Sequence, residues 1–495
     1  MSFKVAVIGA GSVGFTREII KDLLSVREFQ DIQIAFMDIN QHNLNMALEL
    51  IQRDIDANGL SIQIQGTMDR REAFRDAKYV FNFVRIGMLE AFANDVKIPL
   101  KYGIDQCVGD TLCVGGILYG QRGIAAMLEF CKDIREVAKP GCILLNYANP
   151  NAMVTWACNK YGNVPTVGLC HGVQNGHKLI AKVLKRDWKE IDIVCVGINH
   201  QTWYTKIIDK LTGNDLRPML LEAMEADEET ARTEKIRIDV LKRFGYFSTE
   251  SNGHLSEYLP WYRKDPEKIS SWISMDRWIN GESLGYFRHC SERRDWYETD
   301  YPNWIKAPAF VYGEQNTGVE HGAHIVEALE TGRIYRGHFN VINHGVIKNL
   351  PDDAVVEVPG YVDMTGINIP VYGDLPLGCA AICNASISVQ RLAVEAAVHG
   401  NIEFLKQAVM MDPLTGAVCT PQEIWQMVDE MLVAGEEWLP QYTKEIEKAK
   451  ERLREHYVEP RKEKAADTFK RWKTVEEIAG DEELKKIYNK SAHQN

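Results

Sequence analysis

A cysteine and a histidine thirty residues apart each end an apolar run of this sequence. Cys170 ends the run in PTVGLCHGVQ, and His200 ends the run in VGINHQTWY. Thiolate and imidazole are good ligands for a divalent transition metal. Two protein ligands are too few for a structural zinc site, but they suit a catalytic metal with positions open to two substrate oxygens. The alternative is a buried thiol that acts as a small apolar side chain, because this spacing is no motif.

A glycine-rich turn near the N-terminus indicates dinucleotide binding. Gly9, Gly11 and Gly14 form G-x-G-x-x-G, with Ser12 between them, directly after a strand-like run and before a helical one. Such glycines allow a tight turn and a close approach of the backbone to a pyrophosphate. Asp38 ends the next run, IAFMDI, where a carboxylate would bind ribose hydroxyls and repel a 2′-phosphate. We therefore predict that these five residues bind NAD; the alternative is a structural turn, with Asp38 as a helix cap.

The elements that must position these groups alternate regularly in the first part of the chain. Apolar runs rich in Val, Ile and Phe alternate with helical stretches as far as TVGLC, which is the pattern of βαβ units. Runs without polar alternation suit strands that are buried on both faces. The predicted fold class is α/β, with an N-terminal doubly wound, Rossmann-like parallel sheet whose strand ends carry functional groups.

The pattern changes in the second part of the chain. IVCVGINHQTWYTKIID and VINHGVIKNLPDDAVVEVPGYVD indicate longer strands and turns, so an antiparallel sheet in an α+β region is expected. Long helices are predicted over 385–410 and 421–453, and a solvated helix or frayed end over 461–490. We predict an NAD-binding domain over 1–195 and a substrate, catalytic and oligomerisation domain over 196–495.

Composition and charge exclude several kinds of partner. The 495 residues are 45% hydrophobic and 25% charged, as in ordinary globular proteins. The net charge of −12 gives no basic surface for nucleic acid, and no uninterrupted run of about 18 apolar residues predicts a membrane span. The N-terminus lacks a signal-peptide pattern, and the 11 cysteines show no disulfide spacing. We expect a cytoplasmic protein with a small-molecule substrate and no nucleic-acid or membrane partner.

Six short motifs occur in one order across at least residues 3–350. They are VAVIGAGSVGFT, DTLCVGGI, NYANPNAM, GLCHGVQ, VGINHQTWY and GHLSEYLPWY. As a set they resemble glycoside hydrolase family 4, the NAD- and Mn-dependent glycosidases. The resemblance implies that Cys170 and His200 bind Mn²⁺ or another divalent cation, which chelates the sugar hydroxyls at C2 and C3. It also implies that Asn149 binds substrate and that the chain forms a homo-oligomer, a dimer or tetramer.

The resemblance also implies a reason for a hydrolase to need NAD. Hydride transfer from C3 of the sugar to NAD⁺ makes a ketone, which acidifies the proton on C2. A base removes that proton, the metal stabilises the enediolate, and the aglycone leaves by elimination. Water then adds to the unsaturated intermediate and the hydride returns, so that there is no net redox change.

The resemblance suggests the acid and the base. Family members use a tyrosine as base, and Tyr258 in GHLSEYLPWY matches it; a cation would have to lower the pKa of this phenol. A packing role for Tyr258 is the alternative, and Tyr262 lies one helical turn away. Asp110 in GDTLCVGG is the candidate acid. The alternative is that Asp110 only forms an ordinary turn before the glycines. Phospho-glycosidases carry an aspartate where this chain has His171, which is the rival acid or a hydroxyl-recognising group.

The remaining candidates concern the substrate. Arg85, in FVRIG, would contact substrate or cofactor, or else form a structural ion pair. The sequence CHGVQ around the proposed metal-binding cysteine resembles that of family members that take unphosphorylated sugars, particularly melibiase-type α-galactosidases. We therefore predict hydrolysis of unphosphorylated α-glycosides, with α-galactosides preferred and α-glucosides, α-glucuronides or α-galacturonides as alternatives. A uronide would need a cation at its carboxylate, which Arg293 or Arg294 could supply. His254 and Asn252 flank the proposed base, where polar residues often only satisfy backbone groups.

Two other classes of function remain open from the residues alone. An NAD-dependent hydroxy-acid dehydrogenase of the lactate or malate type would share the dinucleotide fold and would produce NADH. A non-enzymatic NAD-binding sensor would not need a metal, so its ligand binding would not depend on Cys170. Neither class accounts for the ordered set of motifs.

Overall fold

A mixed sheet of eleven strands forms the centre of the protein. The computed structural model describes residues 2–293, 299–313, 318 and 320–460. In chain order the strands are β1 (Lys4–Ile8), β2 (Gln33–Met37), β3 (Ile64–Thr67), β4 (Ala77–Asn82), β5 (Ile143–Asn146), β6 (Thr166–Gly168), β7 (Ile191–Ile198), β8 (Gln201–Asp209), β9 (Tyr335–Ile342), β10 (Val355–Asp363) and β11 (Gly366–Asn368).

Twenty α-helices in the described residues surround this sheet. They are α1 (Val13–Leu24), α2 (Gln41–Ala57), α3 (Arg70–Phe74), α4 (Met88–Lys101), α5 (Cys113–Val137), α6 (Asn151–Lys160), α7 (Gly172–Val183), α8 (Arg217–Ala226), α9 (Glu228–Thr233), α10 (Lys235–Phe244), α11 (Asn252–Tyr258), α12 (Ile269–Trp272), α13 (Gly285–Glu292), α14 (Tyr301–Trp304), α15 (His321–Thr331), α16 (Leu377–His399), α17 (Ile402–Met411), α18 (Pro413–Val418), α19 (Pro421–Ala434) and α20 (Thr443–His456).

The strand order confirms the predicted fold class. The order is β3-β2-β1-β4-β5-β6-β9-β10-β7-β8, with β11 paired to β10. The first six strands are parallel, in the order typical of dinucleotide-binding sheets. The later strands are antiparallel, as the second part of the sequence predicts. Strand β9 pairs with β6, so the antiparallel strands extend the parallel sheet instead of forming a separate one.

The parallel strands are buried on both faces, which explains why their sequences are continuously apolar. In β1, Val5 and Val7 join the hydrophobic core on one face, and Ala6 and Ile8 join the core on the other. Successive side chains of a strand point to opposite faces, so both sets must be apolar. Full burial of a valine or isoleucine contributes about 1.5–3 kcal/mol. The strands thereby form a rigid base for the loops at their ends.

Each predicted long helix is interrupted. Helix α16 ends at Gly400, whose φ of +60° favours glycine, and the side chain of Asn401 caps α17. Helix α19 ends at Gly435, and α20 begins only after Pro440, which lacks a backbone N–H. Helical periodicity alone did not reveal these breaks. The predicted segment 461–490 lies outside the described residues.

Helix α16 is long and apolar enough to cross a membrane by composition alone, but half of its most apolar stretch is buried within the protein. It packs against α5 and α6, as a core helix does. The proposed boundary between 1–195 and 196–495 falls within β7. This division into domains stays a prediction.

Candidate active site

The ends of two strands bring the cysteine and the histidine together. Cys170 lies just after β6, before α7, and His200 lies in the two-residue turn between β7 and β8. His200 has a φ of +62°, in the left-handed region that the second central residue of a type II turn adopts. One ligand atom each of Cys170, His200 and Glu250 lies within 4.8 Å of the other two. This set of three is called the thiol cluster below.

A row of paired residues across four strands lies beneath the thiol cluster. Gly168 on β6 pairs with Asn340 on β9, Asn340 pairs with Glu357 on β10, and Glu357 pairs with Gly197 on β7. Nδ2 of Asn340 donates to the carbonyl of Gly168 at 3.3 Å. Nδ2 of Asn199 donates to Oε2 of Glu357 at 3.4 Å. The register of the sheet therefore fixes where the two strand ends lie.

The imidazole of His200 connects the thiol cluster to the proposed base. Its Nδ1 lies 2.7 Å from Oγ1 of Thr111 and 3.5 Å from the hydroxyl of Tyr258. Tyr258 ends α11 and is buried. Burial raises the pKa of Tyr258 well above its usual value, and the carboxylates of Asp110 and Glu257 add to this. The tyrosine therefore packs in the core and also reaches the site with a protonated hydroxyl.

His254 lies between two carboxylates. Its Nε2 is 3.3 Å from Oδ1 of Asp110, and its Nδ1 is 3.1 Å from Oε2 of Glu250. Burial alone would lower the pKa of His254, but the two carboxylates raise it to about 10. Asp110 also accepts hydrogen bonds from Oγ1 of Thr111 at 2.7 Å and Nδ2 of Asn149 at 2.8 Å. Despite burial, its pKa is held well below the usual range by His254. At neutral pH the proton of this pair is on His254.

Acidic groups also surround the thiol. Burial raises the pKa of Cys170 well above that of a free cysteine, and Glu357 and Glu250 raise it further. Burial, followed by repulsion from Glu250, raises the pKa of Glu357 to about 8. Burial opposes the ionisation of Glu250 as well, but His254 and His200 lower its pKa to about 2. This collection of thiol, imidazole and carboxylate matches the donor set of a divalent transition metal. The residues present fit a metal.

The glycine turn has the geometry expected for a nucleotide. Gly9 has a φ of +80°, and a Cβ there would lie 3.2 Å from the backbone of Phe83. Asp38 accepts hydrogen bonds from the N–H of Gly11 at 2.8 Å and of Asn40 at 2.9 Å. The cap of α2 is Asn40, so Asp38 does not have the capping role that was its alternative. Its carboxylate instead ties the glycine turn to the end of β2.

Two further residues of the turn are not required by packing. A Cβ at Gly14 would meet no described protein atom within 4 Å. Ser12 occupies the N-cap position of α1, yet its side chain makes no capping hydrogen bond. Both observations fit a backbone that a ligand approaches closely, so the turn fits a dinucleotide.

His171 lies beside the glycine turn. Its Nε2 is 3.0 Å from Oε2 of Glu320. Its ring is parallel to that of Phe15, with centroids 6.1 Å apart, and Phe15 belongs to the first turn of α1. Burial lowers the pKa of His171, but Glu320 outweighs this and raises it. His171 therefore bridges the glycine turn and the thiol cluster, and it is bonded to Glu320 instead of to the candidate acid.

Arg85 has aromatic neighbours instead of the ion pair that was its alternative. Its guanidinium lies 3.9 Å from the ring centre of Phe92, 4.8 Å from that of Tyr119 and 5.8 Å from that of Tyr286. Its Nε and Nη2 are buried and make no hydrogen bond with the described residues. A cation with unused donors suits a substrate oxygen.

Two other candidates, Tyr262 and Asn252, have structural partners. The hydroxyl of Tyr262 donates to Asp239 at 2.9 Å, which directs it away from the site. The amide of Asn252 bonds to backbone groups, among them the carbonyl of Asn280 at 2.9 Å, as expected of a polar loop residue. Arg293 follows α13, and burial lowers its pKa. Arg294 lies outside the described residues.

Sequence reasoning missed Glu250, Glu320 and Glu357. Glu250 precedes His254 by four residues, a spacing of one helical turn that could have indicated the contact. Glu357 is an acid within the apolar strand VVEVPG, where an unpaired charge is costly and therefore informative. Glu320 carries no local signal, because its partner is 149 residues away.

Comparisons with known proteins agree with this geometry. The profile described as "Family 4 glycosyl hydrolase" matches residues 4–186, and that of the "Family 4 glycosyl hydrolase C-terminal domain" matches 195–415. An alpha-galactosidase of Rhizobium meliloti is 53% identical over 98% of this chain and 99% of its own. An alpha-galactosidase of Bacillus subtilis is 33% identical over 89% and 99%.

The fold has solved counterparts as well. A 6-phospho-beta glucosidase from Thermotoga maritima, solved with manganese, NAD⁺ and glucose-6-phosphate, has a TM-score of 0.72 at 23% identity. The match covers 88% of this chain and 99% of that one. Since the profiles cover most of the sequence and the relatives are similar over nearly their full length, the chain belongs to glycosyl hydrolase family 4.

Proposed function

We propose that this protein hydrolyses unphosphorylated α-glycosides, with α-galactosides preferred, and uses NAD⁺ and Mn²⁺ or another divalent cation. The observation that carries the proposal is the thiol cluster beside the buried hydroxyl of Tyr258. The names of the two α-galactosidase relatives support the choice of sugar. An α-glucoside, α-glucuronide or α-galacturonide is the alternative substrate.

The metal site is proposed at the ends of β6 and β7, and the NAD site at the ends of β1 and β2. Cys170 and His200 hold the metal. The turn that holds NAD consists of Gly9, Gly11, Ser12, Gly14 and Asp38. When bound, the metal supplies Lewis acidity to sugar oxygens, and NAD⁺ supplies a reversible hydride acceptor.

Tyr258 is the proposed base, which takes the proton from C2 of the sugar onto its hydroxyl oxygen. The contact of 3.5 Å with Nδ1 of His200 holds this hydroxyl beside the metal-binding side chain. Burial raises the pKa of Tyr258. A positive charge beside the ring counteracts this effect, because an opposite charge favours the ionised form.

Asp110 is the proposed acid that protonates the leaving oxygen, together with the proton on His254. The 3.3 Å separation of Nε2 of His254 and Oδ1 of Asp110 allows the two residues to share that proton. His171 remains the rival, because its pKa is raised and its ring lies parallel to that of Phe15 beside the glycine turn. The hydrogen bond to Glu320 makes a positioning role toward the cofactor the better fit for His171.

Asn149, Arg85 and Arg293 are the proposed contacts to substrate. Nδ2 of Asn149 is bonded to Asp110, which leaves its carbonyl oxygen to accept from a sugar hydroxyl. Arg85 offers the two buried N–H groups described above. Burial disfavours the charge of Arg293, so a substrate oxygen near it would gain a hydrogen bond from a poorly hydrated cation.

A cytoplasmic location and a homo-oligomer belong to the same proposal. All 11 cysteines are free thiols, which fits a reducing compartment. Association of copies is expected from the family resemblance.

The experiment is hydrolysis of p-nitrophenyl α-galactoside, α-glucoside and α-glucuronide by reduced, metal-stripped protein in D₂O. NAD⁺ and Mn²⁺ are each added and omitted. We expect turnover only with both, with deuterium at C2 of the released sugar. Turnover without NAD⁺ would exclude the mechanism. NADH accumulation from a hydroxy acid, without hydrolysis, would indicate a dehydrogenase.

A further inference from the structure

A third side chain lies at the thiol cluster, and it comes from a segment without a metal-binding motif. We propose that Glu250 is a direct ligand of the divalent cation, so that the protein holds the metal through Cys170, His200 and Glu250. The inference rests on the proposed function, since it assigns a further residue to the same site. It changes the site from a thiol and imidazole pair to a set that includes a negatively charged oxygen.

The two carboxylate oxygens of Glu250 have different surroundings. Both hydrogen bonds from described residues fall on Oε2: from Nδ1 of His254 at 3.1 Å and from the N–H of Ser251 at 3.3 Å. Oε1 faces Gly172, so closely that a Cβ at that position would collide with it. The same Cβ would lie 3.6 Å from Sγ of Cys170. Oε1 is thus held beside the thiol with its lone pairs available.

The arrangement of the three groups leaves a place for a single cation. One ligand atom each of Cys170, His200 and Glu250 lies within 4.8 Å of the other two, so one ion can contact all three. A divalent cation placed among the sulfur, the imidazole and Oε1 would be attracted by the negative charge of the carboxylate.

A second group of three potential ligands, Asp110, His200 and His254, is less suited to a metal. Both oxygens of Asp110 already accept hydrogen bonds, from Thr111 and Asn149. Both ring nitrogens of His254 face carboxylates. A cation there would have to displace these partners, whereas Oε1 of Glu250 has none to lose among the described residues.

The chemistry of the donors supports the same choice. Catalytic metal sites commonly have three protein ligands and leave the remaining positions to water or substrate. Mn²⁺ favours carboxylate oxygens over sulfur. A set of one sulfur, one nitrogen and one oxygen suits Mn²⁺ better than a thiol and imidazole alone. It still leaves positions for two sugar hydroxyls.

The test compares two carboxylates that flank the same histidine. Glu250→Gln and Asp110→Asn each remove one negative charge next to His254. Mn²⁺ affinity is measured by calorimetry on reduced, metal-stripped, full-length protein without substrate. If Glu250 is a ligand, E250Q weakens Mn²⁺ binding by about 100-fold or more, while D110N changes it by less than about threefold.

Gly172→Ala moves the same carboxylate without removing its charge. The new Cβ would push Oε1 away from Cys170, and alanine is a better helix former than glycine in the first turn of α7. We expect G172A to weaken Mn²⁺ binding by about tenfold with an unchanged thermal midpoint. G172A should have no further effect in the E250Q background, since both act on one interaction.

Co²⁺ provides a spectroscopic readout that does not depend on activity. Wild-type protein should show a thiolate-to-cobalt absorption band, which C170S loses and E250Q keeps at saturating Co²⁺ with a shifted ligand-field spectrum. Equal weakening of Mn²⁺ binding by E250Q and D110N would reduce Glu250 to a charge effect and overturn the inference, as would unchanged affinity in E250Q. A wild-type protein that neither binds Mn²⁺ nor cleaves any glycoside would overturn the proposed function as well.

Discussion

Oδ2 of Asp110 accepts a hydrogen bond of 2.8 Å from Nδ2 of Asn149, so the candidate acid and the candidate substrate-binding amide form one unit. We expect Asp110→Asn to lower kcat/KM by about 10²–10⁴-fold for an α-galactoside with a poor leaving group, since such a group needs protonation. p-Nitrophenyl α-galactoside should lose much less, because nitrophenolate leaves without a proton. Steady-state kinetics with both substrates measure the difference. Equal losses would remove Asp110 from the acid role, and His171→Asn is the matched comparison.

Tyr258→Phe should nearly abolish turnover and leave both cofactors bound. The substitution removes only the hydroxyl that lies 3.5 Å from His200, while the buried ring keeps its packing. Loss of a general base typically costs about 10²–10⁴-fold. The measurement is kcat together with Mn²⁺ and NAD⁺ affinity by calorimetry. Full turnover in the variant, with solvent deuterium still entering C2, would show that another group is the base.

Asp38→Ala should weaken NAD⁺ binding and reduce the preference over NADP⁺. The carboxylate is placed at the end of β2 by the N–H groups of Gly11 and Asn40. Its loss removes a ribose acceptor, the repulsion of a 2′-phosphate and a support of the turn. We expect about tenfold weaker NAD⁺ binding, equivalent to about 1.4 kcal/mol. Asp38→Asn, which keeps an acceptor for Gly11, is the control. It should retain the turn but tolerate NADP⁺ better than wild type does.

Arg85→Met should raise KM more than it lowers kcat. Methionine keeps the contact with Phe92 and loses the buried N–H groups that would bind a substrate oxygen. A hydrogen bond from a charged group to substrate is worth about 1.5–3 kcal/mol, so a rise in KM of about 10- to 150-fold is expected for the α-galactoside. An unchanged KM, with a lower thermal midpoint, would assign Arg85 to packing. A larger loss for α-galacturonide than for α-galactoside would favour an acidic sugar.

Buried His338 and partly buried His177 should each make stability fall as the pH falls below about 6.5, because burial disfavours their protonation. Burial lowers the pKa of His338 to about 3 and of His177 to about 4, and Arg336 contributes to the former. The unfolded chain takes up protons near the ordinary value of 6.5, so stability is complete above it and is lost between it and the folded-state values. Each group accounts for up to about 1.4 kcal/mol per pH unit. Urea midpoints across this range measure the slope.

His338→Gln is the variant for that measurement. It removes a titrating group at the same buried position, so its stability should depend less on pH than that of the wild type. Comparison of slopes, instead of absolute midpoints, separates the titration from any packing defect. A variant with the wild-type slope would show that other groups control the acid limb.

The sequence predicts the dinucleotide half of the fold well, because its signals are local. Gly9 and Gly11 are separated from their strand and helix by only a few residues, and uninterrupted apolar runs suffice to indicate buried parallel strands. The joining of β9 to β6 was not predictable in this way. Their single pairing, between Gly168 and Asn340, links positions 172 residues apart, and no periodicity encodes such a partner.

In the candidate site as well, residues with a local sequence signal could be predicted, and residues that matter through distant contacts could not. Cys170 and His200 could be identified because strand ends are where α/β sheets present functional groups. Glu250 and Glu320 could not be predicted as site residues, because their contacts with the site form only in the folded chain. His254 lies near the proposed base in the sequence, but its position between two carboxylates depends on the loop that carries Asp110.

The row of Gly168, Asn340, Glu357 and Gly197 has a consequence for how the protein is made. The two strands that separate β6 from β7 in the sheet, β9 and β10, leave the ribosome after all of β1 to β8, although the thiol and the imidazole are synthesised much earlier. A nascent chain therefore completes its nucleotide-binding strands first and keeps two unfilled sheet edges until β10 has emerged. A chain truncated between residues 200 and 335 should expose those two sheet edges, and the fragment should therefore be prone to aggregation. Catalysis is thus withheld until synthesis of the chain is well past its midpoint.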